Sequence, residues 1–287
     1  MKPRYGVRLL KALILVSAPA GILHSADLAM VPTPPPILDS AALSTPTPAP
    51  TPDPALLLTQ DLFRAIANGN PEALRQALNA GADPNGSLPA PAPDEFRKRY
   101  PDGDLEYYFR KETGFTALMF ASAIGNEMAV RYLLLAGADR HRLSRHSQTF
   151  ALWQAARHGH VGVMRLLMGI TPQSESSQYR VEVSLSAQSA TVWKSGAVVF
   201  STRISSGRES KPTPPGTYLI TDKYRDWKST IYPAKMPYFL RLSCANFGLH
   251  AGVVPNYPAS HGCVRVPEEN AKKLFAMLPI GTEVDIR

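Results

Sequence analysis

Three residues near the C-terminus have the side chains needed for thiol chemistry: Cys263, His261 and His250. A thiol becomes a strong nucleophile when a neighbouring imidazole takes its proton, and the thiolate–imidazolium pair then holds its charge near neutral pH. His261 lies two residues before Cys263, on the same side of the chain if this segment is extended. His250 ends an apolar stretch, and a strand end is a rigid position for a base. The residues alone leave both histidines open as the partner of the thiol.

The residues around Cys263 fit the same chemistry. Gly262 allows a tight turn, in which successive backbone N–H groups of residues 261–263 point at a developing oxyanion. Arg265, on the same side as Cys263 in an extended segment, is suited to bind a carboxylate through two parallel hydrogen bonds. The other cysteine, Cys244, lies in a predicted apolar strand, and we expect a buried thiol there. The alternative is a Cys244–Cys263 disulfide, which would silence the nucleophile or act as a redox switch.

The elements that must position these residues belong to a predicted mostly-β domain over residues 177–287. Alternation of apolar and polar residues, hairpin turn chemistry and a proline followed by acidic residues are the signals for them. The predicted strands cover 179–186, 189–207 (two strands with a turn at 194–196), 216–223, 236–244 and 281–287, and the predicted helix covers 267–278.

The motifs of this domain resemble, in order, those of the YkuD-type L,D-transpeptidase catalytic domain. "HAGVVPNYPASHGCVRVP" (250–267) is similar to the family signature, a histidine, a variable loop and then [S/T]-x-G-C-[IV]-R. "KPTPPGTYLI" (211–220) is similar to an upstream T-P-x-G-x-[FY]-x-I segment, and "GTEVDIR" (281–287) to the closing G-T-x-V-x-I. The loop between His250 and Ser260 is shorter than in many members, which puts the choice of acceptor in doubt and leaves the nucleophile in place.

The resemblance implies a β-sandwich with a catalytic cleft and a cell-wall substrate. Cys263 would attack the carbonyl that precedes the terminal D-alanine of a peptidoglycan stem tetrapeptide and form a thioester. The amine of a second stem peptide would then take the acyl group, which gives a 3–3 cross-link. The resemblance implies no cofactor and no metal, and it implies acylation of the thiol by carbapenem-type β-lactams.

The resemblance also assigns roles to single residues. His250 would be the base, with its imidazole steadied by the backbone carbonyl of Ala251. His261 would line the cleft and, with Gly262, help to shape the oxyanion pocket. The residues expected to meet or border the substrate are Ser260, Arg265, Tyr238 and Ala251.

The acyl acceptor is left open by the sequence. Water as the acceptor would make the protein a carboxypeptidase, a free D-amino acid an exchange enzyme, and a protein lysine an enzyme that anchors proteins to peptidoglycan. A rival function is a non-catalytic adaptor, in which the N-terminal repeats do the work and the C-terminal domain holds the wall.

Residues 59–170 contain an internal repeat. "AIANGNPEALRQALNAGADPNG" (65–86) is similar to "ASAIGNEMAVRYLLLAGADRHR" (121–142), and residues 154–169 form a third copy, cut short. A period near 33 residues, with a glycine between two helical patterns, resembles ankyrin repeats. Such units must stack to bury their apolar faces. We expect the repeats to position the catalytic domain or to bind a protein partner.

An insertion over 86–112 carries aromatic rings among mixed charges. Insertions in repeat arrays emerge on one face, where rings are able to stack on sugars or to hold a partner. We favour the other interpretation, in which the rings pack back on the first repeat.

The N-terminal residues predict export. A basic start, the short apolar run 12–23 and small residues fit a secretory signal peptide over 1–26. The proline-rich residues 27–58 favour an extended linker. We therefore expect a periplasmic or cell-envelope protein, bound to the membrane only if the signal is not cleaved.

The distribution of charge indicates which classes of partner the protein can bind. Residues 177–287 hold 14 basic and 8 acidic side chains, so this domain should attract anionic partners such as peptidoglycan stem peptides. No basic–aromatic motif supports nucleic acid binding, and the histidines near the repeats show no zinc pattern with cysteines. The sequence thus predicts an α+β protein of two domains, a helical repeat array and a mostly-β catalytic domain.

Overall fold

The computed structural model describes residues 53–101, 103–229, 233–255 and 257–287. The predicted signal peptide (1–26) and most of the predicted linker (27–58) lie outside these residues. The first described helix begins at Pro54, so the predicted end of the linker is helical. Asp53 accepts a hydrogen bond from the amide of Ala55, and proline at the first helical position favours a helix start. None of the described helices is long and apolar enough to cross a membrane.

Helix pairs form the N-terminal part of the described chain, which we call the repeat array. Its helices are α1 (Pro54–Ala67), α2 (Pro71–Asn79), α3 (Asp94–Arg99), α4 (Gly103–Lys111), α5 (Ala117–Ala123), α6 (Glu127–Leu135), α7 (Ala151–Arg157) and α8 (Val161–Leu167). Gly69, Gly125 and Gly159 adopt positive φ between the helices of the three repeats, as the repeat pattern predicts. The third copy forms both helices, although its sequence is short.

The inserted helices α3 and α4 add aromatic rings to the core of the array. Phe96 and Phe109 are buried. The ring of Phe96 lies 6.0 Å from that of Phe63, and the ring of Phe109 lies 5.2 Å from that of Phe120. This packing confirms the expectation that the inserted rings pack back on the repeats, while Tyr107 stays exposed.

Strands dominate the C-terminal part, which we call the sheet domain (residues 177–287). They form one sheet in the order β3-β2-β1-β8-β4-β5-β6-β7. The strands are β1 (Tyr179–Ser184), β2 (Ser189–Lys194), β3 (Ala197–Arg203), β4 (Gly216–Lys228), β5 (Lys235–Leu242), β6 (Gly248–Ala251), β7 (Val264–Val266) and β8 (Glu283–Ile286), and α9 (Glu268–Met277) precedes β8. The start of β4 pairs with β8 and the rest with β5. Both halves of the sheet share one core with α9. The helical array and the sheet-rich domain confirm the predicted α+β class of two domains, whereas the expected sandwich is one continuous sheet that runs through β4.

The array and the sheet domain touch through apolar and charged side chains. Leu219 on β4 is buried in the same core as the helices of the array. Arg165 on α8 pairs with Glu283 on β8. A Cβ on Gly281 would lie 2.4 Å from Cδ1 of Ile170, so the chain leaving the array lies directly against the sheet domain. The last repeat therefore stacks on β4 and β8 instead of ending in solvent.

Candidate active site

Two short neighbouring strands position the predicted nucleophile and base. β6 and β7 run parallel, with Leu249 opposite Val264 and His250 opposite Arg265. Side chains alternate along a strand, so His250 and Arg265 project from one face of the sheet while Leu249 and Val264 are buried on the other. Cys263 directly precedes β7, and the same alternation places it on the face of Arg265. The sheet register thus brings two residues that are distant in sequence to one surface.

A cleft of about 410 Å³ opens on this face. Apolar side chains, among them Met236 and Phe247, form part of its lining. The predicted site residues that line the cleft are His250, Ser260, His261, Gly262, Cys263 and Arg265.

The imidazole of His250 is held in a single orientation. Its Nδ1 lies 2.7 Å from the carbonyl oxygen of Ala251, the contact that the resemblance implies. A carbonyl oxygen only accepts hydrogen bonds, so Nδ1 carries the proton and Nε2 keeps its lone pair. The ring is buried and packs against Phe239, with centroids 6.4 Å apart. Nε2 is therefore the atom available as a base.

One buried hydroxyl holds the turn that precedes the nucleophile. Oγ of Ser260 accepts a hydrogen bond from the amide of Gly262 at 3.1 Å and donates to the carbonyl of Cys263. Gly262 has φ of +117°, a conformation that a side chain disfavours. Because the amide of Gly262 is engaged by Ser260, the expectation that three successive amides of residues 261–263 face the oxyanion is wrong for Gly262.

A second hydroxyl, which the sequence analysis missed, fixes the other side of this turn. Oγ1 of the buried Thr213 donates to the carbonyl of Gly262 at 2.9 Å and accepts from the amide of Gly207 at 2.8 Å. A Cβ on Gly207 would lie 2.2 Å from the carbonyl oxygen of Lys211, so the close approach requires glycine. Thr213 is the first threonine of the upstream "KPTPPGTYLI" motif, and this motif is the signal that points to it.

Gly248 is another site residue that the sequence analysis missed. It begins β6, and its backbone acts to lower the pKa of the Cys263 thiol. A Cβ on Gly248 would lie 2.0 Å from the carbonyl oxygen of Leu240 on the neighbouring strand. Only glycine lets β6 lie this close to β5.

The thiol and the imidazole are both neutral in the resting site. Burial raises the pKa of Cys263, against the hydrogen bond from Gly248 and the charge of Arg265. Burial lowers the pKa of His250, against its hydrogen bond with Ala251. Both directions disfavour charge separation near neutral pH. The neutral pair differs from the resting thiolate–imidazolium pair that the sequence predicts. The sequence does not show the desolvation of the two groups in the cleft.

Positive charge surrounds the mouth of the cleft. The exposed His261 has a pKa below its ordinary value, first through desolvation. Three cations lower it further: Arg208, Arg265 and Lys211. The rim is therefore suited to an anionic group such as a carboxylate.

Tyr238 does not line the cleft. Its backbone has φ of +55°, which interrupts the alternation of side chains along β5. Met236 lines the cleft from this strand, whereas the ring of Tyr238 lies 5.8 Å from Phe275 on α9. The expectation that Tyr238 borders the substrate is wrong.

Both cysteines are free, so no bridge blocks Cys263. Cys244 follows β5 in a turn with φ of +56°, rather than in a strand as expected. Its amide donates to Oγ1 of Thr221 at 3.0 Å. Burial, and then the negative charge of Asp222, raise its pKa to about 11. Cys244 is therefore a thiol that stays protonated.

A cysteine and an oriented imidazole that line one cleft with a cationic rim form a site suited to acyl transfer. Residues 178–286 match the family model of the L,D-transpeptidase catalytic domain, and residues 62–176 match the model of ankyrin repeats in three copies. The chain thus combines an ankyrin repeat array with an L,D-transpeptidase catalytic domain. A comparison with curated proteins finds no match.

Solved L,D-transpeptidase structures resemble the chain over part of its length. One from Mycobacterium smegmatis is 21% identical over 38% of this chain and 58% of that one, with a TM-score of 0.36. One from Xylanimonas cellulosilytica is 29% identical over 44% and 69%, with a TM-score of 0.35. One from Stackebrandtia nassauensis is 22% identical over 58% and 89%, with a TM-score of 0.37. The chain thus spans less than two thirds of the mycobacterial protein, and at these TM-scores no functional conclusion follows from the superpositions.

Proposed function

We propose that the protein is an exported L,D-transpeptidase that cross-links peptidoglycan stem tetrapeptides through an acyl-enzyme on Cys263. The observation that supports this most directly is the placement of His250. Its Nδ1 is bonded to the carbonyl of Ala251, which leaves Nε2 as a base on the face of the sheet that carries the thiol. The match of residues 178–286 to the catalytic domain supplies the substrate class.

Acylation begins from the neutral pair. Nε2 of His250 takes the proton of Sγ as the sulfur of Cys263 attacks the carbonyl carbon before D-alanine. The carbonyl oxygen becomes an oxyanion, for which we assign the backbone amide of Cys263 as a donor. When the oxyanion collapses, the C–N bond breaks, and the imidazolium gives its proton to the leaving amine. D-alanine departs and a thioester remains.

Deacylation reverses the proton path. The side-chain amine of a second stem peptide attacks the thioester carbon and loses its proton to Nε2 of His250. The C–S bond breaks, and the sulfur of Cys263 takes the proton back from the imidazolium. The product carries a 3–3 cross-link, and the neutral pair is restored. The thiol of Cys263 does not need a low pKa in the resting enzyme, because each proton moves between groups already in the cleft.

Charge and location complete the proposal. The cationic rim at Arg265, Lys211 and Arg208 attracts the terminal carboxylate of the donor peptide. Export by the signal peptide predicted over 1–26 delivers the enzyme to its substrate in the cell envelope. The repeat array holds the catalytic domain in place or binds a protein partner.

Product analysis tests this proposal. Purified protein is mixed with a disaccharide-tetrapeptide, and the products are weighed by mass spectrometry. We expect release of D-alanine and a dimer whose mass equals two donors minus one D-alanine, with Cys244→Ala retaining both products and Cys263→Ala forming neither. Identical spectra for the unmodified protein and Cys263→Ala would refute the proposal. A tripeptide product without a dimer would instead identify water as the acceptor.

A carbapenem gives a second test that needs no acceptor. A solved L,D-transpeptidase structure is a complex with imipenem. We expect imipenem to add covalently to the peptide that contains Cys263 and not to the peptide that contains Cys244. Absence of the adduct would contradict an accessible, base-assisted thiol at Cys263.

A further inference from the structure

A crevice lies between the repeat array and the sheet domain. Its volume is about 380 Å³. Helix α7 contributes Trp153, Ala156 and Arg157, and the sheet domain contributes Tyr218 and the turn 243–246. Trp153 also lines a neighbouring cavity of about 310 Å³. The acyl-transfer steps use none of the groups that α7 brings to this crevice.

The crevice and the catalytic cleft share a wall. Asn246 lines both. The ring of Tyr218 lies 5.1 Å from that of Phe247, and its hydroxyl donates to the carbonyl of Pro214 at 3.1 Å. Phe247 and Pro214 both line the cleft. A ligand in the crevice would therefore lie next to the cleft and could continue into it past Asn246.

Both sides of the crevice are held in place. On the sheet side, Ser243 and Leu219 exchange two hydrogen bonds, from the amide of Ser243 to the carbonyl of Leu219 at 2.8 Å and from the amide of Leu219 to Oγ of Ser243 at 3.1 Å. On the array side, the guanidinium of Arg157 lies 4.9 Å from the centre of the Trp153 ring, and its Nη2 lies 2.8 Å from Oδ1 of Asp104. A preformed crevice loses little entropy when a ligand binds.

The lining suits a carbohydrate. Trp153 and Tyr218 are half-buried aromatic side chains, and the C–H face of a sugar ring packs against the electron-rich face of such rings. The exposed amide of Asn246 both donates and accepts, as hydroxyl and acetamido groups require. The charge of Arg157 is balanced by Asp104, and among the described residues no carboxylate lines the crevice. A neutral sugar is therefore favoured.

An extended peptide fits the crevice less well. Peptides that bind as strands need an exposed sheet edge. The edges of this sheet are β3 and β7, whereas the crevice is bounded by β4, by the turn after β5 and by helix α7. The crevice presents aromatic rings, an amide and a guanidinium. It does not present the row of backbone N–H and C=O groups with which a peptide strand would pair.

We propose that this crevice binds the sugar part of a peptide-bearing glycan strand, so that the attached stem peptide enters the cleft past Asn246. The proposal rests on the proposed function, and it names the substrate class more closely: a glycan-linked peptide in preference to a free peptide. The repeat array then forms half of a substrate subsite through Trp153.

The first experiment measures binding without turnover. Cys263→Ala protein is labelled with 5-fluorotryptophan and titrated with a peptide-free oligosaccharide of alternating N-acetylated amino sugars. The chain has three tryptophans, and their ¹⁹F signals are assigned with Trp→Phe variants. We expect a saturable shift of the Trp153 signal and none at Trp193 on β2. No shift at Trp153, or a shift at Trp227 alone, beside Phe239 in the cleft region, would overturn the proposal.

Because this titration uses inactive protein, its failure and the failure of acyl transfer are distinguishable. Absent glycan binding with normal dimer formation would remove the sugar subsite and leave the enzyme standing. Glycan binding without any transpeptidation product would keep the sugar subsite and refute the proposed acyl transfer.

The second experiment compares matched aromatic variants in turnover. Trp153→Ala is set against Tyr107→Ala, an exposed ring on α4 that lies outside the crevice. For Trp153→Ala we expect kcat/KM with disaccharide-tetrapeptide to fall about tenfold and kcat/KM with free tetrapeptide to stay unchanged. For Trp153→Phe we expect kcat/KM with disaccharide-tetrapeptide to lie between the values of Trp153→Ala and the unmodified protein. An equal loss for both substrates would overturn the proposal. Thermal unfolding checks that each variant is folded, and the ¹⁹F titration needs no destabilising variant.

Discussion

Cys263 and Cys244 are both half-buried free thiols, yet their neighbours differ. Burial raises the pKa of each. Cys263 lies directly before β7, in the cleft that His250 and Arg265 also line. Cys244 lies in the turn after β5, next to the carboxylate of Asp222, which raises the pKa of its thiol further. The two cysteine side chains therefore lie in different chemical environments within one sheet domain.

Burial raises the pKa of both thiols, so the direction of this shift does not distinguish Cys263 from Cys244. What separates the two thiols is their neighbours: an imidazole and a positive charge that line the cleft with Cys263, and the carboxylate of Asp222 beside Cys244.

The largest effect is expected from removing the sulfur of Cys263, with removal of the sulfur of Cys244 as the matched control. Cys263→Ala should lower transpeptidation by about 10⁴-fold or more, because the covalent route is lost. Cys244→Ala should stay within a few-fold of the unmodified protein. Initial rates of D-alanine release from disaccharide-tetrapeptide provide the measurement. Comparable losses of activity in both variants would show that the environments of Cys263 and Cys244 do not differ in the way described.

The next effect concerns the base. His250→Gln should lower kcat by about 10²–10⁴-fold, since no group is left to take the proton of the thiol. His146→Gln, at an exposed position of the array, is the matched control and should keep full activity. Acylation by imipenem, followed as the rate of mass increase, reports the same step. An unchanged acylation rate in His250→Gln would assign the base to another residue.

The pH dependence of thiol alkylation sharpens the comparison. The pKa of Cys263 is raised and that of His250 is lowered, so the neutral pair dominates near pH 7 and the thiolate forms as pH rises. Alkylation of Cys263 by iodoacetamide should therefore increase through and beyond pH about 8.5, the ordinary midpoint for a cysteine. Cys244 should need still higher pH. Peptide mapping separates the two sites, and a fast plateau for Cys263 from pH 5 to 7 would instead indicate a resting ion pair.

The smallest effect concerns the support of the nucleophile turn. Thr213→Val removes the hydroxyl that bridges Gly207 and Gly262 and leaves two buried backbone groups unpaired. We expect a loss of about 1–3 kcal/mol in the free energy of unfolding and a Tm lower by several degrees, with reduced kcat. Thr217→Val, at an exposed position of β4, is the control and should change neither. Equal Tm values for both variants would exclude this role of Thr213.

Local sequence signals predict much of the fold. The hairpin of β2 and β3 turns at Ser195 and Gly196, both with positive φ, where the turn residues predict it. The repeat glycines likewise mark the helix turns. The two strands that build the site, β6 and β7, span only Gly248–Ala251 and Val264–Val266. Strands this short carry little periodicity, and their parallel pairing depends on contacts distant in sequence.

The candidate site is less predictable than its motif. The spacing of "HGCVR" singles out Cys263, but the positive φ of Tyr238 within β5, which turns its ring away from the cleft, leaves no signal in the sequence. Hydrogen bonds such as that of Thr213 to Gly262 arise between separate segments. The neutral state of the thiol depends on burial, which the sequence does not give.

The most direct test of the central claim is the mass of the protein trapped during acylation. Enzyme in excess over disaccharide-tetrapeptide is quenched in acid within the first turnover, digested and mapped. The account predicts the donor acyl group, with D-alanine lost, as a thioester on Cys263 in the unmodified protein, and strongly delayed formation in His250→Gln. An acyl group on any other residue, or the same rate without the imidazole, would contradict it.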